Sequence, residues 1–351
     1  MTEPLVLPRY GTDKELLANT LDDQPGHRAD QVWADLYSQS RSPSEMTNLP
    51  AELRSRLTEQ LAPSLELAAR SVSDDGDTEK FLWALGGSGD GTTIETVLMK
   101  YPDRCTVCVS TQAGCAMACG FCATGQAGFD RQLDTGEIVE QVIEAARRAA
   151  PPQVSNVVFM GMGEPMANYD ATWSAIRRLH DDVGIGARHI TVSTVGIIPG
   201  ILRMAAEDLP VNLAVSLHAA NDELRDQLVP INRRYPLDDL AAACRRYLDA
   251  KHRRLSFEWA MIDSVNDRDS DAAELAAYAR RLRAHVNLIP LNATPEYPTK
   301  GSPAARVAAF RDRLDELGVN ATVRHNRGTE IDAACGQLRA THGVHIRTRE
   351  V

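Results

Sequence analysis

Three cysteines near the middle of the chain have the spacing of a metal-binding loop. Cys115, Cys119 and Cys122 are separated by three and then two residues. Thiolates on such a loop can each bind one iron of a four-iron, four-sulfur cluster. The fourth iron then lacks a protein ligand, so it can chelate a small molecule and pass it an electron. A structural zinc site, which takes four protein ligands, stays open as an alternative because Cys105 and Cys108 could add thiolates.

The cysteines are unevenly placed along the chain. The chain has seven cysteines, of which five lie between Cys105 and Cys122. In a cytosolic protein such a grouping is more typical of metal binding or catalysis than of structural disulfides. Cys244 lies within a helical pattern, so we expect it to be a buried structural residue, and we expect the same of Cys105.

Polar or glycine-containing motifs follow four predicted strands. They are Gly163 and Glu164 in the run Gly161-Met162-Gly163-Glu164-Pro165, then Ser193, then Ser216, Leu217 and His218, and finally Asn292. One glycine-rich turn would be ordinary turn chemistry. Because the carboxyl ends of parallel strands meet at one edge of a sheet, four such motifs together predict a cofactor pocket there.

Short β-branched runs alternate with amphipathic helical segments from residue 105 onward. Predicted strands cover residues 106–110, 156–160, 189–193, 212–216, 254–260, 285–289 and 320–324. Predicted helices cover residues 135–149, 171–179, 198–206, 237–250, 271–284 and 303–317. This alternation indicates βαβ units and a parallel sheet. About six units are fewer than the eight of a closed barrel, so the sequence predicts an α/β fold with a partial (β/α)6 barrel.

The N-terminal part of the chain has a different pattern. Residues 13–70 read as short amphipathic helices at 14–21, 28–38 and 53–60, with no strand pattern. Two strands, at 80–85 and 94–99, flank a glycine-rich turn. We therefore predict a small helical accessory domain at residues 1–75, a linking hairpin at 76–104, and the core with its C-terminal segment at 105–351.

Charge and hydropathy limit the function classes. The formal net charge is −10, and residues 1–100 alone carry −8, which argues mildly against a nucleic-acid partner. The rest of the chain nevertheless has basic clusters at 251–254, 280–283 and 324–327. Apolar runs do not reach the roughly 18 residues that span a membrane, and the first ten residues lack the pattern of a signal peptide. We expect a cytoplasmic protein without a membrane partner.

The cysteine triad, with Phe121 before its last cysteine, resembles the signature of the radical S-adenosylmethionine (SAM) superfamily. The Gly163-Glu164 pair is similar to the motif with which that superfamily holds the amino group of SAM. The resemblance implies a [4Fe-4S] cluster on Cys115, Cys119 and Cys122. It also implies a SAM pocket formed by Gly163, Glu164, Ser193, Ser216, Leu217, His218 and Asn292.

A narrower resemblance covers nearly the whole chain, from about residue 28 to 338. Cys108-Val-Ser-Thr-Gln-Ala-Gly-Cys115 and Gly328-Thr-Glu-Ile-Asp-Ala-Ala-Cys335-Gly-Gln-Leu resemble the RlmN/Cfr class of RNA adenine methyltransferases. Arg28-Ala-Asp-Gln-Val and Glu45-Met-Thr add to the match. The class implies 23S rRNA and tRNA as substrates and, by analogy, a flavodoxin-type electron donor.

The resemblance also implies roles for three residues outside the cluster. The C2 carbon of adenine is electrophilic, so a polar methyl transfer from SAM cannot work there. In this class one SAM methylates Cys335, and a second SAM is cleaved to a radical that activates this methyl group for addition to the ring. Glu95 is the implied proton acceptor, and attack of Cys108 on the sulfur of Cys335 releases the product and leaves a disulfide.

Several alternatives stay open on the sequence. The class includes enzymes that methylate C8 of adenine and confer antibiotic resistance, although the N-terminal domain resembles the C2 type. A SAM-dependent activase or mutase would need the triad without Cys108 or Cys335. A zinc-bound RNA-binding module would need no radical chemistry. We expect the basic clusters, Arg253 and Arg254 in particular, to make most phosphate contacts with RNA.

Overall fold

The structure is a computed structural model, and it describes residues 6–86, 91–149, 153–292, 294, 297, 300–324, 327–334 and 336–338. The strands are β1 (Leu7–Pro8), β2 (Leu61–Ala62), β3 (Leu65–Val72), β4 (Thr78–Leu85), β5 (Thr93–Lys100), β6 (Cys105–Cys108), β7 (Gln112–Gly114), β8 (Phe129–Gln132), β9 (Asn156–Phe159), β10 (Ile190–Thr194), β11 (Asn212–Ser216), β12 (Leu255–Met261), β13 (His285–Pro290) and β14 (Ala321–Val323). The helices are α1 (Lys14–Thr20), α2 (His27–Tyr37), α3 (Ala51–Gln60), α4 (Ala123–Ala127), α5 (Thr135–Ala149), α6 (Tyr169–Asp181), α7 (Ile198–Ala206), α8 (Asp222–Leu228), α9 (Leu237–Lys251), α10 (Asp269–Leu282) and α11 (Ala304–Glu316).

The parallel part of the main sheet is a partial barrel. Strands β6 and β9 to β14 lie side by side in chain order, and every neighbouring pair is parallel. At least one helix lies between each successive pair, as parallel crossovers require. The sheet ends at β14 on one side and at β3 on the other, so it does not close. The predicted α/β fold with an open barrel is confirmed.

Three antiparallel strands extend this sheet beyond β6. Strands β3, β4 and β5 pair in order, and β5 pairs with β6. The two strands predicted for segment 76–104 therefore form, but they belong to the large sheet. The prediction of no strand within residues 13–70 is wrong, because β3 begins at Leu65. Only Leu65 of this edge strand is buried, so the apolar alternation that marks a strand is missing. The domain boundaries at 75 and 104 stay predictions.

The N-terminal helices pack on the outer layer of the core. Helices α1, α2 and α3 lie within about two residues of their predicted positions. The indole Nε1 of Trp33 donates to Asp182 at 2.8 Å, and Arg147 on α5 forms an ion pair with Glu45 at 2.8 Å. Their buried apolar residues join the same core as those of α5 and α6. Among the helices of the described residues, none is long and apolar enough to cross a membrane.

The inner face of the barrel is polar and partly hollow. A cavity of about 610 Å³ is lined by residues that register across the parallel strands, including Thr191, Asn212, Glu258 and Asn287. Val158 on β9 also faces this cavity, and its register partner is Cys108 on β6. Side chains of paired residues lie on the same side of a sheet. Cys108 therefore faces the barrel interior.

Candidate active site

The loop with the cysteine triad lies at the carboxyl ends of the parallel strands. It lies in the segment that connects β7 to β8, and at the base of this segment the Cys115 amide donates to the Gly128 carbonyl at 2.6 Å. Gly114 in β7 has φ +76°, and a Cβ there would lie 2.2 Å from the same carbonyl oxygen. Cys119 and Phe121 then pack against Ala219, Ala260 and Ile262. These contacts hold the loop over the ends of β11 and β12.

The three thiols of the loop are close enough to influence one another. Burial, with a smaller contribution from the neighbouring Cys122, raises the pKa of Cys115 to about 12. Burial also raises the pKa of the Cys119 thiol well above its usual range, and Cys115 and Cys122 add to this. Without a metal the thiols of Cys115 and Cys119 are therefore neutral. Because only thiolates bind metal, assembly of a cluster releases protons.

The donor set fits a multi-iron cluster better than one metal ion. Among the described residues, no three His, Cys, Asp or Glu side chains are placed to hold a single metal ion. Three cysteines of one loop can nevertheless each bind a separate iron of a larger cluster. The predicted ligands Cys115, Cys119 and Cys122 thus fit a [4Fe-4S] group. No zinc-type arrangement is found in the described part of the chain.

Glu164 links the ends of two strands. Its carboxylate accepts hydrogen bonds from the Val195 amide at 2.8 Å and the Met166 amide at 3.0 Å. Burial raises its pKa to about 7, although these hydrogen bonds act in the opposite direction. Gly163 has φ +98°, and a Cβ there would lie 2.5 Å from the Gln112 side chain. This close approach explains why glycine precedes the carboxylate.

The predicted serines lie together on the inner face. Ser193 on β10 and Ser216 on β11 have their hydroxyl oxygens 3.3 Å apart. Leu217 is buried, and its amide donates to the Glu258 carbonyl of the next strand at 3.0 Å. Asn292 is buried two residues beyond the end of β13. The predicted SAM-pocket residues therefore belong to one end of the sheet.

His218 has a defined protonation state. Burial lowers its pKa to about 3, and the nearby Arg225 contributes in the same direction. Its Nδ1 accepts a hydrogen bond from the Ala260 amide at 3.0 Å, so the proton of the neutral ring is on Nε2. The ring makes an edge contact with Phe121 of the cysteine loop, with centroids 4.7 Å apart. His218 thus joins the cysteine loop to the strand ends.

Arg225 is a buried residue of the site that our sequence reasoning missed. Its guanidinium donates to the carbonyls of Leu217 at 3.0 Å and Val195 at 2.6 Å, and to Asn232 Oδ1 at 2.7 Å. Its positive charge lowers the pKa of Cys119, against the larger effect of burial. Arg225 therefore fixes the loops after β10 and β11. An arginine in a short amphipathic helix carries no local signal of this role.

Glu95 and Cys108 lie on one face of the sheet. Cys108 is opposite Val97 on β5, and Glu95 is two residues along from Val97. Side chains two residues apart in a strand point to the same side, so Glu95 and Cys108 both face the barrel interior. Glu95 is buried and forms an ion pair with Lys80 at 2.9 Å. The sequence placed Glu95 near Cys108 only through the family resemblance.

Ser110 is a second residue of the site whose role our sequence reasoning missed. Its hydroxyl donates to the Glu95 carbonyl at 2.6 Å and accepts from the Met162 amide at 2.9 Å. Gln141 on α5 bonds both backbone groups of Ser110, at 2.8 and 2.9 Å. This junction connects the strand of Glu95 with the loop of Gly163.

Part of the C-terminal segment contacts both the antiparallel strands and the residues after the cysteine loop. We call residues 327–338 the strap, and Cys335 within it lies outside the described residues. At one end, Arg327 donates to the Lys100 carbonyl at 3.1 Å. At the other end, the Gly336 carbonyl accepts from the Ala123 amide at 2.8 Å, and the Leu338 carbonyl accepts from the Thr124 hydroxyl at 2.6 Å. The strap thus bonds directly to the residues that follow Cys122.

The clusters at 251–254 and 280–283 lie at the amino ends of strands, where Arg253 and Arg254 line the barrel cavity, whereas Arg327 of the third cluster belongs to the strap. Arg253 and Arg254 immediately precede β12, at the amino end of the strand. The seven residues of β12 span about 20 Å, and the cysteine loop packs at the other end. Arg281 pairs with Asp238 at 3.0 Å, near the start of β13. This placement argues against the expectation that Arg253 and Arg254 contact RNA bound at the cysteine loop.

Comparisons with known proteins agree with this geometry. The model of the family described as the Radical SAM superfamily matches residues 109–276. A curated relative from Chloroflexus aurantiacus, named "Probable dual-specificity RNA methyltransferase RlmN", is 50% identical over 93% of this chain and 90% of its own length. A relative of the same name from Salinispora tropica is also 50% identical, over 96% of this chain and 94% of its own.

A solved structure gives the same result in three dimensions. The crystal structure of a radical SAM methyltransferase from Sphaerobacter thermophilus superposes with a TM-score of 0.91 at 49% identity, over 96% of this chain and 100% of that one. Fold and site together define a radical SAM enzyme, whose cofactors are a [4Fe-4S] cluster and SAM. Within that superfamily the chain belongs to the RlmN family.

Proposed function

We propose that this enzyme methylates C2 of adenine in structured RNA, with 23S rRNA and tRNA as its substrates. The printed names of the relatives, dual-specificity RNA methyltransferase, support RNA as the substrate. The observation that carries the proposal is the bonding of the strap to Ala123 and Thr124, because it holds the residues after Cys335 beside the cysteine loop.

The cofactor residues follow from the geometry described above. Cys115, Cys119 and Cys122 would hold the cluster. Gly163, Glu164, Ser193, Ser216, Leu217, His218 and Asn292 would bind SAM. When bound, these groups supply a radical that can abstract a hydrogen atom. The chain itself contributes a pocket whose buried residues exclude water around the loop.

Three residues of the chain would act on the substrate. Cys335 carries the methyl group to the ring, and Glu95 accepts the proton that leaves C2. The Cys108 thiolate then attacks the sulfur of Cys335 and forms a Cys108–Cys335 disulfide. The bond between that sulfur and the added carbon breaks, its electron pair stays on the carbon, and this carbon takes up a proton to become the methyl group of the released base. The unpaired electron of the adduct would return to the cluster. The common face of Glu95 and Cys108 supports this division of roles. The base must leave its stack to reach them.

The test uses anaerobically reconstituted full-length enzyme, a 23S rRNA fragment or tRNA, and nucleoside mass spectrometry. We expect 2-methyladenosine from the wild type, none from Cys335→Ala, and an accumulated enzyme–RNA adduct from Cys108→Ala. Cys105→Ala is the matched control, because Cys105 lies on the same strand as Cys108 but pairs with Lys100 on the opposite face.

Each contrary result has a definite meaning. Formation of 8-methyladenosine would show that the enzyme methylates C8 of adenine and not C2. Cleavage of SAM with no methyladenosine on either RNA would favour an activase or mutase. Zinc without iron and sulfide in the purified protein would end the radical proposal. We also propose a flavodoxin-type electron donor and a cytoplasmic location. Reduction of the cluster by flavodoxin tests the proposed electron donor.

A further inference from the structure

Lys80 on β4 contacts two parts of the site at once. Its ammonium group lies 2.9 Å from Glu95 Oε1 and donates to the carbonyl of Asp332 at 3.2 Å. Glu95 belongs to the antiparallel part of the sheet, whereas Asp332 belongs to the strap. One side chain therefore joins the candidate proton acceptor to the segment that contains Cys335.

The surroundings of Lys80 differ from those of an ordinary surface ion pair. The side chains of Lys80 and Glu95 are 14% and 7% exposed. Exposed pairs of this type contribute little, but removing one partner of a buried pair leaves the other side chain without its contact. Lys80 pairs in register with Val97, so it shares the interior face with Glu95 and Cys108.

A second lysine of the same sheet provides a contrast. Lys100 forms an ion pair with Glu79 at 2.7 Å. Glu79 and Lys80 are adjacent in β4, so their side chains point to opposite faces of the sheet. The Lys100–Glu79 pair thus lies on the face away from the barrel interior, and Arg70 also contacts Glu79.

We propose that Lys80 is a positioning residue that holds the carboxylate of Glu95 and the strap in fixed positions relative to each other. This inference rests on the proposed roles of Glu95 and Cys335. Lys80 exchanges no proton or electron with the substrate. It keeps the Glu95 carboxylate in one orientation, and it fixes the backbone three residues before Cys335.

A specific step should therefore depend on Lys80. Methylation of Cys335 does not involve Glu95, and the strap has bonds to Ala123 and Thr124 that do not involve Lys80. Removal of the proton from the ring does involve Glu95. Loss of Lys80 should leave the first step intact and slow the second, so the enzyme–RNA adduct should accumulate.

The experiment compares Lys80→Met, Lys80→Arg and Lys100→Met in the reconstituted enzyme. Mass spectrometry of the Cys335 peptide follows the first step, denaturing gels follow the adduct, and nucleoside analysis follows the product. For Lys80→Met we expect normal methyl-Cys335, accumulated adduct and product release lowered at least tenfold. A positioned base contributes roughly 10²–10⁴-fold to a rate, and mispositioning Glu95 should cost part of that effect. Lys80→Arg should restore release, and Lys100→Met should behave as wild type.

Other results would overturn the inference. Wild-type release by Lys80→Met would show that the contact is dispensable. If Lys80→Met lost methyl-Cys335 as well as product release, Lys80 would have a general structural role. The same conclusion would follow if Lys80→Arg were folded but still released product slowly. Glu95→Gln tests the proposed function separately: wild-type turnover by that variant would remove Glu95 from the mechanism, whatever Lys80 does.

Discussion

Ser110 shows how single residues couple distant parts of this site. Its hydroxyl bonds the backbone of the strand with Glu95 and the backbone of the loop that precedes Glu164. A shift of the cofactor loop would therefore be transmitted to the candidate base. The same hydroxyl satisfies a buried amide, and leaving such a group unpaired costs about 1–3 kcal/mol.

Gly163 should be intolerant of any side chain. We expect Gly163→Ala to lower the affinity for SAM at least tenfold while the cluster cysteines still bind iron, because a Cβ would lie 2.5 Å from Gln112. Isothermal titration with SAM and iron analysis measure the two effects. Gly184→Ala is the control: Gly184 has φ +90°, but a Cβ there meets no atom within 4 Å. Equal affinities in the two variants would contradict the steric argument.

The residues found from the sequence share one property, which is a recognisable local pattern. The cysteine triad, Gly163-Glu164 and the Ser216–His218 run lie in short continuous motifs. Arg225, Ser110 and Lys80 act through partners far away in the chain, such as Val195, Glu95 and Asp332. Only the folded sheet brings these partners together, so no local pattern could have indicated them.

The strap is the element on which the proposed chemistry depends most. We expect Thr124→Val to weaken its attachment, because valine keeps the shape of threonine but loses the hydrogen bond to the Leu338 carbonyl. The result should be faster hydrogen exchange in peptides from residues 327–338 and less methylated RNA, with normal iron content. Thr58→Val, which removes a comparable bond within α3, should change neither. Unchanged exchange in the strap would refute this expectation.

Elements with strong periodic patterns were predicted well. The bounds of β11, α5 and α7 agree with the sequence prediction to the residue. The ribbon of β7 and β8 and the short helices α4 and α8 were missed, because they have three to seven residues each and show no full period. Strand β3 was missed for a different reason, since its place at the edge leaves most of its side chains in solvent.

At the scale of the whole molecule, a buried carboxyl lies where the N-terminal part meets the core. Glu140 on α5 accepts a hydrogen bond from the Ser64 amide at 2.8 Å, and burial raises its pKa to about 8. Its ordinary value in the unfolded chain is 4.5. The folded state thus binds a proton that the unfolded state releases, and this contribution to stability is complete below pH 4.5 and is lost as the pH rises towards 8.

Glu140→Gln should remove this dependence. We expect the variant to have a higher Tm than the wild type at pH 8.5, because glutamine stays neutral while the buried glutamate must ionise. At pH 5 the difference in Tm between the two proteins should be smaller. Thermal unfolding at the two pH values measures it. The comparison variant is Glu144→Gln, one turn further along the same helix, which removes a carboxylate paired with Arg148. An equal effect of Glu140→Gln at both pH values would be inconsistent with a buried ionisation.

The distribution of charge over the molecule bears on RNA binding. Arg253 and Arg254 lie at the amino end of β12, about 20 Å from the end that carries the cysteine loop. We therefore expect the double variant Arg253→Gln/Arg254→Gln to change the slope of log K against log salt by less than one. Fluorescence anisotropy with labelled tRNA tests this. A decrease of about two in this slope would show that these arginines contact RNA phosphates.

The open edge of the sheet has a consequence for how the protein behaves in a crowded solution. Strand β3 carries a register shift between Leu67 and Ala69, and its exposed positions include Glu66 and a partly exposed Arg70. A straight apolar edge invites another chain to add a strand, whereas a bulge and charged side chains oppose such growth. The exposed edge position that hid β3 from sequence analysis is thus protected by its bulge and charged side chains against edge-to-edge aggregation, despite the exposed Leu67 and Val72.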